Sequence, residues 1–248
     1  MKATTTTLIV TVAILVPSLA GCGLWKDRTE PATQLGSLPL GGNTASNDPR
    51  PDPRGAKSDL LLAMARNEEQ QGHYLAAAKK YRELLADEWH PVAARRLAIN
   101  SIRLGEPAKA DSLFAECLNA DPTNAELLAD AAYWKYLQGE FDASEELARR
   151  GLEQDPYLAR LHNNLGLVLA NRGDTEGAIK AFQSAGCSRQ QATANLGHAM
   201  LSAGNRDQAK EYLSQASQGS SPDPKASRTI AKLAQRPEVV RTSGHSTK

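Results

Sequence analysis

Few residues in this 248-residue chain are spaced to do chemistry. Its five histidines, His73, His90, His162, His198 and His245, have no neighbouring Cys or His at ligand spacing, so no metal centre is expected. The 28 Asp and Glu residues are spread along polar positions, the pattern of a solvated surface rather than of paired acid and base. No phosphate loop, dinucleotide fingerprint or zinc-type motif occurs, so no cofactor is expected and the chain does not read as an enzyme. Of the three cysteines, Cys117 and Cys187 fall within helical or turn patterning and read as structural. Cys22 differs: it follows a short apolar run and the small residues Leu19-Ala20-Gly21.

Met1 to Gly21 has the layout of an export signal, with Lys2 as its positive start and Leu8 to Val16 as its apolar run. That run is too short to span a bilayer, which takes about 20 residues. Leu19-Ala20-Gly21-Cys22 resembles the lipobox of bacterial lipoproteins at all four positions. The resemblance implies that Cys22 is acylated and becomes the first residue of the mature protein, so that the membrane is a partner through that lipid. Several acyl chains on one residue anchor stably where one would not. Gly23 stands where that family's inner-membrane retention signal would be Asp, which implies the periplasmic face of the outer membrane. Residues 22–57 read as the lipidated Cys and a disordered tether, because ten of the 35 residues from Gly23 to Lys57 are Gly or Pro and periodic apolar spacing is absent. A flexible chain of that length has a root-mean-square span of about 30–35 Å.

The elements that carry everything else are helical. Between Ser58 and Ala216 only eight residues are β-branched, whereas 30 of the 39 alanines fall between Ala63 and Ala216. A sheet core would need the first kind, so an all-α body with a small-residue core is expected. The formal net charge of +1 gives no reason to expect nucleic acid as a partner. Glycines recur at Gly72, Gly105, Gly139, Gly173 and Gly204, at spacings of 33, 34, 34 and 31. Five residues after each comes a small residue (Ala77, Ala110, Ser144, Ala178, Ala209), and nine after, an apolar one (Tyr81, Phe114, Ala148, Phe182, Leu213). Asp121-Pro122 and Asp155-Pro156 close two copies at one offset.

This pattern resembles the tetratricopeptide repeat (TPR), a helix–turn–helix unit of about 34 residues. The resemblance covers about five repeats over residues 58–219 and implies an α-solenoid. Residues 220–248 read as a short capping helix, with Ala226, Ile230, Leu233 and Ala234 on one face, and a disordered tail. Cys117 and Cys187 lie two repeats apart, which argues against a disulfide between them.

In the tetratricopeptide family the first helix of each repeat lines a groove that holds a partner peptide or helix. Carried over by register, that groove here includes Arg95, Ile99, Tyr133, Tyr136, Asn163, Leu167, Ala194 and His198. Asn164 and Asn195 match the family's recurrent Asn, which can hydrogen-bond a bound backbone. The expected function is a membrane-anchored protein–protein scaffold that assembles an envelope machine. The order of lipobox, tether and repeats, with Leu161-His162-Asn163-Asn164-Leu165-Gly166, also resembles the lipoproteins of tight-adherence (Flp-type) pilus assembly. The competing expectation is a TPR lipoprotein that regulates a cell-wall synthesis enzyme. Oligomeric state is left open by the sequence. Replacing Cys22 with Ala is expected to move the protein from the membrane pellet to the soluble fraction; retention in the pellet would refute the anchor.

Overall fold

Each repeat begins with a helix that the sequence stops at a glycine. The computed structural model describes residues 53–87, 89–218 and 222–235, and in it Gly72, Gly105, Gly139, Gly173 and Gly204 all adopt positive φ, from 73° to 85°. At each one the amide that follows reaches back to a carbonyl five residues earlier, as Glu106 N does to Ser101 O and Asp174 N to Leu169 O. This glycine cap satisfies the last carbonyls of the helix and turns the chain sharply. The signal segment, Cys22, most of the tether and the tail lie outside the described residues.

Among the described residues ten helices pair in chain order into five hairpins: α1 (Pro53–Gln70) with α2 (Tyr74–Asp87), α3 (Pro91–Arg103) with α4 (Pro107–Ala120), α5 (Ala125–Leu137) with α6 (Phe141–Gln154), α7 (Ala159–Asn171) with α8 (Thr175–Ser184), and α9 (Arg189–Ser202) with α10 (Arg206–Ala216). An eleventh, α11 (Pro224–Gln235), packs on α10. Among the described residues all regular structure is helical. Helix α1 starts at Pro53, five residues inside the segment read as tether. Proline suits the first turn of a helix, where no amide partner is required, so the Gly and Pro content that suggested disorder here instead starts a helix.

Within each hairpin the two helices meet at a position with little or no side chain. Ala65, Ala98 and Ala132 are fully buried there. In the last two repeats the position is Gly166, where an added Cβ would lie 2.7 Å from the Phe182 ring, and Gly197, 2.8 Å from Leu213 Cγ. Repeat three lacks the large residue on its second helix: Ala148 and Gly151 stand there, and Leu161 of the next repeat fills the space, fully buried, 2.6 Å from where a Gly151 Cβ would be. Ser144 Oγ donates to Ala132 O at 2.8 Å and tightens the same hairpin.

The shortened link between repeats four and five has a physical cause. Helix α8 has ten residues where α2, α4 and α6 have fourteen. It ends in the glycine cap otherwise reserved for the first helix of a repeat: Gly186 has φ +89°, and Cys187 N donates to Phe182 O at 3.1 Å. Ser188 and Gln191 then form a reciprocal capping box that starts α9 at once.

Over repeats three to five the first helices α5 and α7, and α7 and α9, contact each other more closely than the second helices α6, α8 and α10 do. Over these repeats the stack therefore curves with its first helices on the inner side. At the far end Ala226 is buried and Ile230 and Leu233 pack over Ala194, Leu213 and Ala216, while Ala234, expected on that face, is exposed. Gly166→Val, which forces two methyl groups toward a fully buried ring, is expected to lower stability by about 2 kcal/mol and the melting temperature by about 5 °C. Gly173→Ala, with open space around it but φ +82°, should cost only about 1 kcal/mol. Equal losses in thermal melts would show that the contact at Gly166 is not tight.

Candidate functional site

The inner face is built from the first helices, and along it the charged side chains pair between repeats. Glu69 on α1 is buried, and its carboxylate accepts from Tyr81 Oη and Arg103 Nη1, each at 3.0 Å, with Arg96 Nη1 at 3.6 Å. Burial, then the Glu69 charge, pushes the Tyr81 hydroxyl far up, so it stays a donor. One repeat on, Arg95 Nε on α3 lies 2.8 Å from Asp130 Oδ2 on α5, and its Nη2 lies 3.6 Å from Glu126 Oε2. From the other side Arg160 on α7 places Nη1 3.1 Å from the same Glu126 oxygen, contacts Asp130 Oδ1 through Nη2 and donates to Glu126 O at 3.1 Å. Two acids one turn apart are thus clamped between arginines of the flanking repeats. Arg95, expected as a groove cation, is neutralised within the chain.

Beyond this ladder, toward repeats four and five, the groove positions are held by uncharged side chains. Tyr133 and Tyr136 stack with ring centroids 6.2 Å apart, half-buried against the core of repeats four and five. Asn171 Nδ2 donates to Tyr136 Oη at 3.1 Å and to Leu167 O at 3.2 Å. Burial, and to a lesser degree Tyr136, pushes the Tyr133 hydroxyl up to about 12; Tyr136 is also raised by burial, against the Asn171 hydrogen bond. Both rings are neutral phenols at physiological pH. Asn163 on α7 is half-buried.

Several expected groove residues serve packing instead. Asn164 is buried and donates to Ala129 O at 2.8 Å across α7 and α5. Asn195 is buried with Nδ2 3.5 Å from Cys187 Sγ. Leu167 and Ala194 are buried in the core, and Ile99 packs half-buried against the core of repeats two and three. The reason is the contact between successive first helices: one residue further round the helix the side chain turns from the groove to the neighbouring repeat. Cys117 is buried, and burial pushes its thiol up to about 11, an unreactive value. Sequence reasoning missed Glu126, Asp130, Arg160 and Asn171. The signal was present, since Arg160 recurs 34 residues after Glu126 with opposite charge.

His198 lies under the start of α11. Its Nε2 is enclosed without a hydrogen-bond partner among the described residues, and Asp223 and Lys225 are the charged groups facing it. Asp223 itself caps α11, accepting from Ala226 N at 2.8 Å and Lys225 N at 2.9 Å. Among the described residues no group of three or more His, Cys, Asp or Glu is placed to hold a metal, and no helix is long and apolar enough to cross a membrane.

Residues 130–192 match the tetratricopeptide repeat family model. No curated protein sequence matches. Among solved structures, PilF of Pseudomonas aeruginosa is similar at 20% identity over 74% of this chain and 87% of that one, with a TM-score of 0.56. A thermophilic TPR protein of Thermus thermophilus is similar at 20% identity over 72% of this chain and 100% of that one, with a TM-score of 0.55. A MamA protein is similar at 20% identity over 74% of this chain and 99% of that one, with a TM-score of 0.50. The described residues form a tetratricopeptide-type α-solenoid, and no catalytic family is indicated.

Burial, more than its charged neighbours, lowers the pKa of His198 from its ordinary 6.5. The unfolded chain therefore takes up this proton first, so stability falls as pH drops below about 6.5. The melting temperature of the native chain is expected to fall more between pH 7.5 and 5.5 than that of His198→Gln. Parallel curves would show that His198 does not contribute.

Proposed function

We propose that this protein is a lipid-anchored scaffold of the bacterial envelope that holds a protein partner on the inner face of its solenoid. The observation that carries the reading is the contrast along that face. Over repeats two to four its charges are satisfied within the chain, and Tyr133, Tyr136, Asn163 and Asn171 form a neutral strip that offers apolar rings and amides together. Such a strip suits an uncharged peptide segment better than an acidic or basic tail, because no unpaired charge awaits a counter-charge. The lipobox at Cys22 and the tether then set the location: the anchor at the membrane, the solenoid clear of it. The machine served is read as a pilus or secretion apparatus, on the resemblance to tight-adherence lipoproteins; regulation of a cell-wall synthesis enzyme is the alternative.

The tyrosines pack too deeply for alanine substitution to report on binding alone. Asn163→Lys instead adds a long cation to the neutral strip at a half-buried site. Affinity capture from native membranes is expected to recover pilus or secretion subunits with the native chain and about tenfold less with Asn163→Lys, at unchanged melting temperature. Recovery of cell-wall synthesis enzymes alone would favour the alternative, and equal recovery by both chains would remove the strip from the reading.

A further inference from the structure

The two ends of the solenoid are finished differently. At the C-terminal end α11 turns Ala226, Ile230 and Leu233 inward and presents Ser227, Arg228, Lys232 and Gln235 outward. A repeat stack needs such a polar cap, because each unit otherwise leaves the face meant for the next one bare. The N-terminal end has none among the described residues. Helix α1 packs inward through Leu61, Leu62, Ala65 and Glu69, and its opposite side carries Ala56, Leu60, Ala63, Met64 and Asn67, all exposed. Leu60 is 61% exposed and Met64 45%.

The spacing of that outer stripe is informative. Ala56, Leu60, Ala63 and Asn67 alternate at four, three and four residues, the seam of a two-helix coiled coil. Asp59 and Arg66 flank one side of the seam, both exposed and neither ion-paired among the described residues. In an antiparallel pair of α1 helices related by a two-fold axis, Leu60 of each copy faces Ala63 of the other. The same register puts Asp59 of each copy beside Arg66 of the other, twice. A parallel pair would instead flank Asp59 with Met64 and Arg66 with Gln71 of the other copy, pairing no charges. The face is complementary in shape and charge to itself in the antiparallel arrangement.

We infer that α1 is a self-association surface whose occupant is a second copy of this chain, docked antiparallel through Leu60, Ala63 and Met64 with reciprocal Asp59–Arg66 pairs. A two-fold contact of this kind closes on itself and gives a dimer, not a filament. An 18-residue helix is only about 27 Å long, so the contact is smaller than that of a permanent dimer and the association is weak.

Sedimentation velocity of the full chain, carrying Cys22→Ala to keep it in solution, tests this from micromolar to submillimolar concentration. The expected result is a reversible monomer–dimer equilibrium that Leu60→Glu with Met64→Glu abolishes at unchanged helicity. Asp59→Arg and Arg66→Asp should each weaken the dimer by about tenfold, replacing two attractions with two repulsions. An equimolar mixture of those two variants should associate again, since each then meets its complement. A native chain that stays monomeric throughout, as when its own preceding segment covers α1, overturns the inference. So does a dimer indifferent to these substitutions.

Discussion

Everything in this solenoid depends on two helices approaching through a position that has almost no side chain. Ala65, Ala98, Ala132, Gly166 and Gly197 occupy it in the five repeats, each against the central residue of the following helix. With the helix pair drawn that close, the partner can be large, as at Phe182, and still be wholly enclosed. Where the partner is small, as at Ala148, the next repeat supplies Leu161 and the core stays filled. A few aromatics suffice for a long core because every repeat reuses the same contact. Three of the alanines serve this contact, and Ala77, Ala110, Ala178 and Ala209 are fully buried at the facing position of the second helices.

The second organising element is electrostatic and runs between repeats. Asp111 on α4 accepts from Trp134 Nε1 at 2.9 Å and from Gln138 Nε2 at 3.1 and 3.2 Å, which ties repeats two and three from the outer side. On the inner side Arg95 and Arg160 grip Glu126 and Asp130 from both directions. Exposed pairs of this kind contribute little singly, but a network held by helix backbones fixes geometry as well as energy. Its consequence for function is subtractive. Over repeats two to four the charged side chains of the inner face pair with one another, and further along that face carries phenols and amides.

Local features were legible in the sequence because their causes are local. The glycines that end the first helices, the Asp-Pro breaks and the amphipathic spacing of α11 each act within a few residues. The tight link after α8 shows in the sequence only as the 31-residue spacing of Gly173 and Gly204, and its mechanism, a glycine cap moved to the second helix and followed by the Ser188 capping box, did not show. The start of α1 was misplaced because Pro and Gly signal disorder and helix initiation alike, and only the packing of Leu61, Leu62 and Ala65 decides between them.

The inner face was legible only to within one residue. Sequence determined that Asn163 and Asn164 lie on the same helix near the groove. Tertiary structure decided that Asn164 is spent on Ala129 O while Asn163 remains half open to the groove, because neighbouring residues point about 100° apart round a helix and the next repeat covers one of those directions. The same holds for Arg95, whose charge was evident from its type and whose neutralisation by Asp130 depends on a residue 35 positions away. The repeat unit and its count belong to the sequence. Which polar groups are left for a partner belongs to the stacking of one repeat on the next.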